Sequence, residues 1–85
     1  SREELKLNLS DEVRKLLEER HIAEDEVKMT IHHAEIEGDK LYQPGASRYL
    51  AKLKIGKATF YVEYALEGDQ HVVRSAYAHK AEITG

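Results

Sequence analysis

Residues 47–83 read SRYLAKLKIGKATFYVEYALEGDQHVVRSAYAHKAEI, three alternating stretches divided by two Gly-X pairs, Gly56-Lys57 and Gly68-Asp69. A two-residue loop that begins with glycine suits the type II′ turn, whose twist matches that of a hairpin. The stretch is read as a three-stranded antiparallel meander, and its turns set the register. Ile55 opposes Ala58, and counting outwards pairs Leu53 with Phe60, Ala51 with Val62 and Tyr49 with Tyr64. From the second turn, Leu66 faces His71, Tyr64 faces Val73, Val62 faces Ser75, Phe60 faces Tyr77 and Ala58 faces His79. Side chains alternate with period two, so this mostly apolar set forms one face. The same register gathers Arg48, Leu50, Lys52, Lys54, Thr59, Tyr61, Glu63, Ala65, Val72, Arg74, Ala76, Ala78 and Lys80 on the other, with Glu63 directly across from Arg74.

Upstream of the meander the pattern becomes helical. Leu5, Leu7 and Leu9 alternate with Lys6 and Asn8, as in a short strand. Ser10 then caps a helix that opens on Asp11 and Glu12, where the dipole favours acids, and carries Val13, Leu16 and Leu17 as its apolar stripe through about Arg20. His21-Ile22-Ala23 breaks that helix. Glu24, Asp25 and Glu26 open a second, and Gly38 stands where a left-handed cap would end it. Val27, Ile31 and Ala34 share one side of the second helix, whereas Met29 and Ile36 lie nearly opposite, as on a helix covered loosely or meeting a partner. Pro44-Gly45 is a turn signal in which proline sets the first central residue and glycine supplies positive φ. The expected fold is α+β in the order βααβββ, with both helices on one face of a three- or four-stranded antiparallel sheet.

Composition narrows the function. Eighty-five residues make one domain, and a chain of this size buries only about 60% of the surface it exposes when unfolded. The start at Ser1-Arg2-Glu3, without Met, suggests a processed product or a domain excised from a larger protein. Without cysteine there is no disulfide framework, thiolate metal site or thiol chemistry. No apolar run approaches the roughly 20 residues of a membrane span, and no signal-peptide pattern opens the chain. A soluble, cytoplasmic protein without membrane contact is expected. The net charge of −3 divides unevenly: residues 1–40 carry 7 Lys and Arg against 12 Asp and Glu, and residues 41–85 carry 6 against 4. An acidic helical half thus meets a mildly basic sheet half, which disfavours broad nucleic-acid affinity and leaves room for a local basic face.

Chemistry-bearing clusters are few. His32 and His33, two of five histidines, are adjacent on a helix and point about 100° apart, whereas helical zinc pairs use i, i+4 spacing. His33 and Glu37 alone have that spacing, and no metal site is expected. His32 is read as solvated and His33 as bonding a loop. Ser75, Tyr77 and His79 alternate along one strand, but Ser75 and His79 are about 13 Å apart at the strand rise, out of reach for a nucleophile and its base. They are read as lining the core beneath the helices, with His79 at the polar margin. Gly38, Gly45, Gly56 and Gly68 are isolated, so no phosphate-binding loop and no cofactor is expected.

The open sheet face is the candidate surface. Arg48, Lys52, Arg74 and Lys80 have the charge to hold phosphates, Tyr61 the ring to stack a base, and Glu63 the carboxylate for a general base. Alternatively, Lys52, Glu63 and Arg74 form a solvated cross-strand ladder contributing about 0.2–1 kcal/mol per pair.

The order of strand, helical hairpin and meander resembles the RelE/ParE superfamily of small toxins. The segment from Ser10-Asp11-Glu12-Val13 through Glu19-Arg20-His21-Ile22-Ala23-Glu24-Asp25-Glu26-Val27 is similar to a stretch of its BrnT-like relatives. That resemblance implies metal-independent RNA cleavage by residues of the open face and last strand: Arg48, Lys52, Tyr61, Glu63, Arg74 and His79. The register turns Tyr77 and His79 inward unless a bulge around Ser75-Ala76 flips them out. A second set, His33-Ala34-Glu35, Gly38-Asp39-Lys40-Leu41-Tyr42, Arg48-Tyr49-Leu50-Ala51, Val62-Glu63-Tyr64 and Ala76-Tyr77-Ala78-His79, resembles small domains accompanying anaerobic flavin and iron–sulfur oxidoreductases. It implies a docking role without cofactor ligands. The sequence is read as a non-catalytic accessory or protein-binding domain with a protein partner; the alternative is an RNase-toxin-like protein, active or degenerate, for which RNA would be the partner.

Overall fold

The computed structural model describes residues 5–80. Its elements are β1 (Leu7–Asn8), α1 (Asp11–Glu19), α2 (Glu24–Glu37), β2 (Lys40–Gln43), β3 (Arg48–Ile55), β4 (Ala58–Glu67) and β5 (Gln70–Lys80). The strands form one mixed sheet in the order β1-β5-β4-β3-β2, with β1 parallel to β5 and the other pairs antiparallel. The α+β class is as expected, but the sheet has five strands, and the expected βααβββ order omitted β2.

The helices begin and end for local reasons. Ser10 Oγ accepts the Val13 N–H at 3.2 Å and caps α1. His21 takes a left-handed φ of 56° between the helices, which ends the first and redirects the chain. The Glu26 carboxylate accepts the Ala23 N–H at 2.8 Å, satisfying a donor at the entry to α2, and Gly38 closes that helix at φ 71°. Val27, Ile31 and Ala34 are completely buried, while Ile36 on the other side stays 68% exposed.

Both Gly-X turns have positive φ at the glycine alone, as a type II′ turn requires. The register between β3 and β4 is the expected one, from Ile55 and Ala58 to Tyr49 and Tyr64. Between β2 and β3 the chain turns at residues 44–47, with the Ala46 N–H bonding the Gln43 carbonyl at 3.1 Å. Gly45 was expected to supply positive φ there; Ser47 does so, at 50°.

The second hairpin departs from expectation halfway along. Leu66 pairs with His71 and Tyr64 with Val73, but the next partners are Glu63 with Ser75, Val62 with Ala76, Tyr61 with Tyr77 and Thr59 with His79. Arg74 is therefore one residue too many. A bulge absorbs it and reverses the alternation beyond it. Ser75, Tyr77 and His79, expected beneath the helices, stand on the open face instead, and Ala76 turns into the core. The physical reason is volume and polarity: alanine fits beneath a helix, whereas Tyr77 and His79 would bury a large ring and a polar imidazole.

The core lies between the helices and this face of the sheet. Val13, Leu17, Ile22, Val27 and Ile31 meet Ala51, Phe60, Val62, Tyr64, Val73 and Ala76. Each fully buried aliphatic contributes about 1.5–3 kcal/mol by leaving water. Among the described residues, no element covers the opposite face of the sheet.

Candidate functional site

The open face is built by alternation on four strands. Leu41 and Gln43 come from β2, Arg48, Leu50, Lys52 and Lys54 from β3, Thr59, Tyr61 and Glu63 from β4, and Ser75, Tyr77 and His79 from β5. Its centre is aromatic. Tyr61 and Tyr77 stack across the β4 and β5 pair, with ring centroids 4.8 Å apart and planes 16° apart, and Tyr77 is 43% exposed. The Lys52 ammonium lies 5.9 Å from the Tyr61 centroid, within range of the ring's negative face. Next to them is a cleft of about 410 Å³ lined by Gly38, Asp39, Lys40, Leu41, Leu50, Lys52 and Tyr61.

Charges at the cleft are mostly neutralised within the chain. Lys40 Nζ donates to the Glu35 carboxylate, and Asp39 meets His33 Nε2 at 3.2 Å. That second contact gives His33 the loop bond expected for it; His32, expected in solvent, is half-buried. Lys52 makes no ion pair among the described residues; it is exposed, borders the cleft and has the Tyr61 ring as its neighbour.

Two expected relationships are replaced. Glu63 stands across from Ser75, not Arg74, and its carboxylate accepts from Arg48 Nη1 at 2.9 Å. Arg74 pairs instead with Glu67, at 3.7 Å on an exposed surface. The ladder of Lys52, Glu63 and Arg74 does not exist, because the bulge displaces Arg74. Of the six candidate residues, Lys52 and Tyr61 form one contact and Arg48 and Glu63 another, while Arg74 and His79 stand apart along β5. Ser75, opposite Glu63, and His79 are four residues apart on one strand, about 13 Å. An acid and a base at that separation cannot share one reacting group. Tyr77 belongs to the site but was read as core; so does Leu41, whose strand was not recognised. Ala76 and Ala78 placed in solvent while Tyr77 and His79 lay in the core was the available signal of a wrong register.

A second polar cluster lies on the helix side. Glu35 of α2 accepts from Lys40 Nζ and, at 3.2 Å, from the Tyr64 hydroxyl, and its other oxygen is 3.4 Å from His71 Nε2. Burial pushes the Glu35 carboxyl upward, but Lys40 and the hydrogen bonds from Tyr64 and His71 outweigh it and hold the group below its ordinary value. The Tyr64 hydroxyl is driven well above the ordinary phenol range, by burial first and then by Glu35. Tyr42, Tyr49, Tyr64 and His71 run as a row of ring contacts beside this carboxylate, with centroids 5.1–5.7 Å apart. Glu35 is saturated by its donors, so the cluster ties α2 to the sheet. No three His, Asp or Glu residues converge as metal ligands among the described residues.

Fold and site together define a class: a small two-layer α+β domain with two helices on one side of its sheet and a Tyr-centred face exposed on the other. No family model, curated protein or solved structure matches the chain. No described helix is long and apolar enough to cross a membrane.

Proposed function

We propose that this chain is a non-catalytic accessory domain that binds a partner protein through its open sheet face. The carrying observation is the stacked pair of Tyr61 and Tyr77, half exposed on a face that no described element covers. Tyrosine offers a large rigid contact area with a polar tip and is enriched at the energetic centres of interfaces. Leu50 and Leu41 extend the apolar ground, Lys52 adds one unneutralised cation, and the ion pair of Arg48 and Glu63 stands beside them. Neutralised charge around an aromatic centre favours recognition over chemistry, because a general base must be free to take a proton.

The test is recovery of a partner from the native host by wild-type protein and by Tyr61→Ala/Tyr77→Ala. Loss of one discrete protein from the variant, with its circular dichroism unchanged, supports the reading. Equal recovery of the same proteins by both overturns it.

A second reading, a RelE- or BrnT-like metal-independent RNase, is favoured by one observation. The bulge brings Tyr77 and His79 onto the face that carries Tyr61 and Lys52. Under it, stacked tyrosines hold a base and Lys52 a phosphate. It requires RNA cleavage without added metal, lost in His79→Ala and Lys52→Ala.

A further inference from the structure

We infer that the cleft beside Tyr61 seats an extended acidic segment of the partner protein, anchored by one bulky apolar side chain against Leu41 and Leu50 and held at Lys52 by a carboxylate. The inference rests on the protein-binding reading and names the chemistry of the partner. Leu41 and Leu50 oppose one another directly on β2 and β3 and give the cleft its aliphatic wall. At about 410 Å³ the cleft lies within the range of about 300–1,000 Å³ that holds small ligands, and one large side chain fits it.

Charge selects the rest of the occupant. On the open face Arg48 is paired with Glu63, and Glu67 with Arg74. Around the cleft Lys40 is neutralised by Glu35, and Asp39 meets His33 of α2, on the helix side. Lys52 and Lys54 are exposed and make no ion pair among the described residues, so the unmatched charge beside the cleft is positive. Both follow Leu50 on the same face of β3. At about 3.3 Å per residue, Leu50 and Lys52 are about 7 Å apart, the repeat of alternate residues in an extended chain. A segment running along β3 thus places an apolar residue in the cleft and acids two and four residues away, over Lys52 and Lys54.

Other occupants match this ground less well. A nucleic-acid base needs an open ring face, and Tyr61 is flanked on one side by Tyr77 from β5 and on the other by Lys52 from β3. A second copy laid face to face would bring its unmatched lysines toward these. One docking its acidic helices here would make a head-to-tail contact, which propagates unless it closes into a ring.

The probe is the synthetic peptide Thr-Phe-Thr-Glu-Thr-Glu-Thr, titrated into the isotope-labelled full chain beside versions with Ala for Phe and with Lys for both Glu. The parent is expected to shift the amides of Leu41, Leu50 and Lys52 and to bind at least tenfold more tightly than either. Leu41→Ser, at an exposed strand position, is expected to weaken binding tenfold with circular dichroism unchanged. Lys52→Glu/Lys54→Glu is expected to reverse the preference toward the Lys version. Equal binding of the three peptides, no binding of any, tighter binding of oligouridylate than of the parent, or self-association abolished by the lysine substitutions overturns the inference. A natural partner lost on Tyr61→Ala/Tyr77→Ala but retained in full by Leu41→Ser and by the lysine variant overturns the cleft inference and leaves the open-face reading standing.

Discussion

Tyr77 stacks on Tyr61 because Arg74 is extra. Were Arg74 paired in the ladder, Tyr77 would oppose Phe60 on the helix side; with Arg74 left out as a bulge, Tyr77 opposes Tyr61 and the two rings stand 4.8 Å apart on the open face. The exclusion of Arg74 from the ladder thus decides whether the domain presents an aromatic surface.

Deleting Arg74 removes the bulge and leaves a regular ladder in which Val73 still opposes Tyr64, Ser75 opposes Glu63 and Tyr77 opposes Tyr61, so Tyr77 is expected to stay on the open face. The expected change stays below the roughly 2–5 kcal/mol of a large core truncation, because Ala76 keeps its place beneath the helices. Arg74→Ala keeps the residue count and removes only an exposed pair with Glu67, at less than about 1 kcal/mol. Urea titration of both variants checks this, and unfolding of either would contradict it.

Tyr77→Ala is expected to lower stability by only about 0.5–1.5 kcal/mol, the worth of an aromatic pair, and to weaken partner binding tenfold or more. Tyr64→Ala differs, since that side chain is fully buried, and about 3–5 kcal/mol is expected to be lost. Thermal denaturation beside a binding titration separates the two effects.

Glu35 makes stability depend on acid. Its folded carboxyl lies below the ordinary 4.5, so its contribution is present above pH 4.5 and is lost as pH falls through the folded value. Glu35→Gln is therefore expected to be less stable than wild type at neutral pH, with the gap closing below pH 4.5. Urea midpoints measured from pH 7 down to pH 3 test it, and a constant gap would contradict it.

Tyr64 acts at the other end of the scale. Its folded phenol lies above the ordinary 10.0, so stability is kept below pH 10 and lost as pH rises beyond it. Tyr64→Phe is expected to show a shallower alkaline decline, read as the fall in melting temperature between pH 9 and pH 11.

Much of this fold was legible because its punctuation is local. Ser10 acts through its own side-chain cap and Gly38, Gly56 and Gly68 through their own backbone geometry, and each does what its sequence position indicates. The bulge at Arg74 has no such marker. Val72-Val73-Arg74-Ser75-Ala76 can be threaded with or without an extra residue, and only the packing of Ala76 beneath the helices decides. β2 escaped notice because Leu41 and Tyr42 are both exposed and show no alternation. Of the site, Lys52 and Tyr61 were legible from the first turn, whereas Tyr77 depended on the bulge and the partners of Arg48 and Arg74 on side-chain reach across strands.

The most direct test of the open face as a partner surface replaces Tyr77 with the photo-crosslinking residue p-benzoylphenylalanine in the native host, with Leu66 replaced in parallel as an exposed control. Irradiation is expected to give one discrete protein adduct from position 77 and none from position 66. Adducts to RNA, or the same adducts from both positions, would contradict the account.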